Sequence, residues 1–167
     1  ASSQVNWSNQ RINKNLGLIF DNNANLKVTS ISIDEKSGSD ISNIRIFPQF
    51  SSKISYPLLR SSSLLNQTLT PIIMPIVAPY NNYTAAQTVT NSNIFSANRV
   101  TSFYESESGP RINYGIEWFI NSALGADIKT VLGQNYRFNK LSEDTTSEIS
   151  NYFINTNINI DIDNYLD

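Results

Sequence analysis

From Arg111 to Ile120 the chain alternates without a break. Ile112, Tyr114, Ile116, Trp118 and Ile120 take one side, while Asn113, Gly115, Glu117 and Phe119 take the other. A period of two puts successive side chains on opposite faces, so the pattern predicts a half-buried β-strand. Residues 127–139 alternate again, with Ile128, Thr130, Leu132, Tyr136 and Phe138 against Lys129, Val131, Asn135 and Arg137. The stretch between them, 121–126, has the length of a hairpin loop, and the whole predicts an antiparallel pair.

The same reading extends along the chain. Leu26 and Val28 alternate with Lys27 and Thr29, then the apolar phase moves to Ile31 and Ile33, which predicts a bulge at Ser30. Lys36 to Ser39 reads as a turn and Ile41 to Phe50 as the returning strand. Shorter strands are expected at 52–59, 88–95 and 98–105, and the alternation over 153–162 predicts another. One short helix is expected within 141–152, where Thr145 and Glu148 have the spacing of a capping box.

These elements predict an all-β fold: a single-domain antiparallel β-sandwich, jelly-roll-like, with eight or nine strands and at most one short helix. The polar residues 1–16 are expected as an amino-terminal arm or loosely held first strand, and 17–167 as the sandwich domain. In a sandwich the apolar stripes turn inward, so Glu117 is expected on a solvated face.

The most apolar segment is Leu69 to Pro79, broken by Pro71, Pro75 and Pro79. Proline inside a helix removes a hydrogen bond and clashes with the preceding turn, and in a central strand it cannot donate to the ladder. The segment is therefore expected to be extended, at a sheet edge or outside the sheets. Its apolar residues need a cover, either the core or else a neighbouring subunit or a lipid surface, of which subunit contact is the sharper reading. Pro71, Ile72, Ile73, Met74, Pro75, Ile76 and Val77 are accordingly the candidate subunit interface. Tyr80, Asn81, Asn82 and Tyr83 follow as a candidate glycan contact, since rings stack on sugars and amides bond hydroxyls.

Composition narrows the chemistry. The chain has no histidine and no cysteine, which removes the usual near-neutral acid/base groups, thiol nucleophiles and zinc ligands. Charged residues make up only 16%, and polarity comes instead from 23 asparagines and 23 serines. A net charge of −2 with scattered basic residues argues against direct nucleic-acid binding. No apolar run reaches the roughly eighteen residues of a spanning helix, so no transmembrane segment is expected. Ala1 fits either loss of an initiator Met or cleavage of a leader. Three glycosylation triplets, at Asn6, Asn66 and Asn82, are no more than chance supplies.

The remaining candidates are carboxylates. Glu105, Glu107 and Glu117 could serve a paired-carboxylate hydrolase, although surface charge is the plainer reading. Asp161 to Asn164 resembles the start of a calcium loop but lacks its later glycine and acidic positions. Six scattered glycines form no phosphate loop. No cofactor and no metal is expected, and no enzyme.

The expected function is a non-enzymatic structural subunit of a larger assembly, a virion capsid or tail component that works through contacts with other protein subunits. The alternative is a secreted or surface carbohydrate-binding module. The expected location is accordingly a virion, or the extracellular space and cell surface.

Overall fold

The computed structural model describes residues 1–33, 41–80, 90, 93–100, 106–138 and 148–160. They form β1 (Ser2–Asn13), β2 (Leu18–Ile33), β3 (Ile41–Ser55), β4 (Leu58–Ser61), β5 (Leu65–Val77), β6 (Arg111–Ser122), β7 (Ala126–Arg137) and β8 (Phe153–Ile160). All pair antiparallel in one sheet of order β1-β2-β3-β5-β6-β7-β8, with β4 continuing the line of β3 along β5. The expectation of an all-β, antiparallel fold of eight or nine strands holds, with eight. The described strands are joined in that one sheet, whose outermost strands are β1 and β8.

The β6–β7 hairpin pairs Ile112 with Tyr136 and Asn121 with Asp127, closing through a turn at 123–125 where Gly125 takes φ 78. Strand β8 begins and alternates where expected. Residues 1–16, read as an arm or a loose first strand, supply β1, which pairs with β2 from Ser2↔Thr29 to Asn13↔Leu18. The β2–β3 register is unbroken from Ile19↔Ser55 to Ile33↔Ile41, so the expected bulge at Ser30 is absent. The described residues of 88–95 and 98–105 form turns and irregular chain rather than strands. The remainder of those two stretches lies outside the described residues, as do 141–147 of the expected helix, and 148–152 are not helical.

The proline-broken segment corrects a second expectation. It is β5, paired on one side to β3 and on the other to β6, in the middle of the sheet. In an antiparallel ladder the N–H and C=O of one residue point to the same neighbour, and residues two or four apart share that direction. Tyr56 N donates to the Pro71 carbonyl at 3.1 Å, so Pro71 and Pro75 turn their missing donors toward β3 and β4. The β3–β5 register holds at Phe50↔Val77, Ser51↔Ile76, Ile54↔Ile73 and Ser55↔Ile72 and skips Pro75. The β5–β6 register runs unbroken from Leu65↔Ser122 to Ile76↔Arg111. Prolines four apart thus weaken one ladder and spare the other.

The connections differ sharply between the two ends. Residues 14–17, 62–64 and 123–125 connect strands at one end, and residues 34–40, 78–110 and 138–152 at the other, while 56–57 only interrupt the line from β3 to β4.

Candidate functional site: a polar face with a buried arginine–glutamate cluster

Residues paired across antiparallel strands share a face, so the register sorts every strand side chain into one of two surfaces. One surface carries Val5, Leu26 and Pro48 in a row, and then Trp7, Ala24, Phe50 and Val77. Further along it carry Pro71, Ile116, Leu132 and Ile154. This surface is apolar and open: Val5 is 69% exposed, Ile46 65% and Ile154 67%. A shallow groove of about 680 Å³ runs over it, lined by Trp7, Leu26, Pro48, Phe50 and Val77.

The opposite surface is polar. One row crosses six strands as Ser8, Asn23, Ser51, Ile76, Arg111 and Arg137. Every charged residue of the described strands except Arg11 and Arg60 points to this side. A soluble sandwich places its apolar stripes inward, and here they face out. The period of two was right, and the expected inside and outside are exchanged.

The polar face is partly covered. Residues 93–100 and 106–110, from the connection between β5 and β6, fold down onto it. Gly133 offers the seat for Ile94, since a Cβ there would lie 2.8 Å from Ile94 Cγ1. Gln49 Nε2 donates to the Ala97 carbonyl at 2.9 Å, and Asn113 Nδ2 to Ser96 O at 3.4 Å. Arg111 Nη1 donates to the carbonyls of Glu107 and Gly109 at 3.3 and 3.2 Å, and Arg137 Nη1 to Ser108 O at 3.2 Å.

Glu107 is the centre of these contacts. Its carboxylate accepts from Arg99 Nε at 2.9 Å and from the Arg99 backbone N–H at 3.2 Å, and pairs with Arg111 Nη2 at 3.1 Å. Arg137 Nη2 and Arg99 Nη2 close the same oxygen from two sides. The side chains of Arg99, Glu107 and Arg111 have no exposed surface. Burial alone would raise the Glu107 pKa. The hydrogen bond from Arg99 and the charges of Arg111, Arg99 and Arg137 outweigh it, and the carboxyl titrates below the ordinary glutamate range.

What remains open on this face is a polar groove of about 380 Å³, lined by Gln4, Asn6, Asn25, Gln49 and Asn98 among others. The surface can hydrogen-bond along most of its length and presents no nucleophile–base pair among the described residues. Among the described residues no group of three or more His, Cys, Asp or Glu could hold a metal.

The family of LPS transport system D, LptD, matches residues 4–163. The chain belongs to the LptD family. No curated protein matches it. Membership overturns the virion capsid or tail reading, because the LptD family works in lipopolysaccharide transport at the outer membrane. The carbohydrate-binding alternative is nearer to that cargo, yet the match does not carry it. At family level an LptD protein is a transport component and not an enzyme, and it acts with other proteins of its system. Its setting is the cell envelope.

The candidate residues fall as follows. Ile72, Met74 and Ile76 are buried on the polar face. Pro71, Ile73 and Val77 are exposed on the apolar face, and Pro75 is half-buried there. Tyr80 is exposed, with its ring against Gly109, while Asn81, Asn82 and Tyr83 lie outside the described residues. Glu107 is not a surface charge but the most enclosed carboxylate described, and Glu117 is half-buried on the polar face. Glu105 and Asp161 to Asn164 lie outside the described residues. The sequence reading missed Arg99, Arg111 and Arg137. Arg111 and Arg137 could have been found from their place at one end of the predicted hairpin, on the face opposite the apolar stripe.

Proposed function

We propose that the eight strands form an arc of a transmembrane β-barrel wall in the outer membrane. Its apolar face meets lipid, and its polar face lines the route used in lipopolysaccharide transport. The observation that carries this reading is the uncovered apolar face, continuous across the sheet, with the charged residues of the strands turned away from it. Such a face is a liability in water and a requirement in a bilayer.

The dimensions agree. A twelve-residue strand such as β6 is about 40 Å long, and tilted by roughly 45° it rises about 28 Å, the thickness of the hydrocarbon core. Arg11 and Arg60, the outward-facing exceptions, sit beside the short turns, where a long side chain reaches the headgroups. No helix among the described residues is long and apolar enough to cross a membrane. A strand needs only alternation, which a search for long apolar runs passes over. By the usual asymmetry of such barrels, the short turns face the periplasm and the long connections face outward. Closing a barrel takes more than this arc, since β1 and β8 are not paired with each other among the described residues.

The chain's two tryptophans, Trp7 and Trp118, both lie on the apolar face. With the full-length protein folded into vesicles and any further tryptophan replaced by phenylalanine, brominated acyl chains should quench their fluorescence and aqueous acrylamide should not. Efficient acrylamide quenching without any bromolipid effect would place this face in water and reject the reading.

A further inference from the structure

We infer that residues 93–100 and 106–110 form a strap latched across the polar face by Glu107, and that releasing the latch widens the route that this face lines. The inference rests on the barrel reading, since only there does the polar face line a passage.

Four features of the contact support a latch. First, the attachments span the sheet: the strap meets Gln49 on β3, Arg111 and Asn113 on β6, and Gly133 and Arg137 on β7. Second, the charges are divided between the two parts. Arg99 and Glu107 belong to the strap, and Arg111 and Arg137 to the wall. Glu107 is the carboxylate on which all three guanidinium groups converge. While it is ionised, each of them is drawn to a shared centre. Once it is neutral, strap Arg99 is left facing wall Arg111 and Arg137 in a buried setting where like charges repel strongly.

Third, the closed arrangement is not fully satisfied. Arg99 Nη1 and Arg111 Nε have no hydrogen-bond partner among the described residues, and each unpaired buried donor opposes closure. Fourth, the strap forms one wall of the polar groove. Ala97, Asn98 and Ser106 line it opposite Gln4, Asn6 and Lys27. Lifting the strap would join that groove to the surface now hidden beneath Ile94, Arg99 and Glu107. The strap leaves from the ends of β5 and β6 on the side of the long connections, so it constricts the route near that end.

The test uses the full-length protein in planar lipid bilayers. Glu107→Gln should raise ion conductance several-fold while the protein keeps the heat-modifiable gel mobility of a folded barrel. These 167 residues contain no cysteine, and Gly133 lies against Ile94, so Ile94→Cys with Gly133→Cys, with any cysteine elsewhere in the protein replaced by serine, places one disulfide between strap and wall. Added to E107Q, this pair should restore wild-type conductance when oxidised and release it when reduced. In the otherwise unaltered chain, oxidation should abolish spontaneous openings and reduction should bring them back. A folded E107Q protein with wild-type conductance overturns the latch, and so do openings that persist in the oxidised pair. Failure of the unaltered protein to enter the bilayer at all would instead remove the barrel reading beneath it.

Discussion

Asn135 donates its side-chain amide to the side-chain carbonyl of Asn113 across 2.6 Å, and both residues are buried. They face each other on β6 and β7, on the surface that a soluble sheet would fill with leucine and valine. Here that surface sets amides, hydroxyls and ions beside Ile72, Met74 and Ile76, under the folded-down connection. Its cohesion comes from matched donors and acceptors, and each unmatched one is costly. Asn135→Ala removes the donor and strands Asn113 Oδ1. The full-length protein folded in vesicles should lose about 1–3 kcal/mol, read as a lowered urea midpoint. Asn113→Ala together with Asn135→Ala should cost less than the two single changes added, because neither partner is then left unpaired.

The two faces should answer oppositely to the same substitution. Ile46 and Asn23 are both exposed, but Ile46 lies on the apolar face and Asn23 on the polar one. Ile46→Arg should destabilise the folded, lipid-inserted protein by about 2 kcal/mol, as a charge moved into hydrocarbon does. Asn23→Arg should fall within about 0.5 kcal/mol of the wild type. Folded fractions on unheated gels after refolding into vesicles give both numbers. Equal effects would argue that neither face meets lipid.

Acid should act on the cluster in a defined window. Because the folded protein holds the Glu107 carboxyl below its ordinary range, the unfolded chain binds that proton first as pH falls. The stability it contributes is therefore complete above the unfolded value. It is lost as pH drops from roughly 4 through the depressed folded value. Urea midpoints taken from pH 7 down to pH 3 should diverge between wild type and Glu107→Gln at the neutral end and converge at the acid end. The comparison cancels the other carboxylates, which titrate in both proteins.

The strands were legible in the sequence, and their orientation was not. Alternation over Ile112 to Ile120 fixes which residues share a face, but parity has no sign. Water on one side and lipid on the other give the same pattern as core on one side and water on the other. Charge does not supply the sign either, since Lys27, Arg45, Arg111, Lys129 and Arg137 lie opposite the stripe of Ile112, Tyr114, Ile116, Trp118 and Ile120 as they would in a sandwich. The sign shows only in the structure, where Tyr114 and Trp118 of that stripe are exposed and Arg111 is buried. The prolines of β5 misled for a related reason. A missing N–H forbids a bond on one side of a strand only, and spacing by four keeps both losses on that side. The cluster was the least accessible part. Glu107 is drawn to Arg137 across thirty residues, and only the folding of the β5–β6 connection onto β6 and β7 brings them together. Local pattern carries no trace of such a contact.

Pro71 and Pro75 leave β5 tied to β3 by a broken ladder and to β6 by a continuous one. A sheet bends where its stitching is sparse. The wall is thus divided into two panels, β1 to β3 and β5 to β8, with a crease between them. Distortion imposed on either panel will gather along that line, which the strap crosses to reach Gln49 on β3.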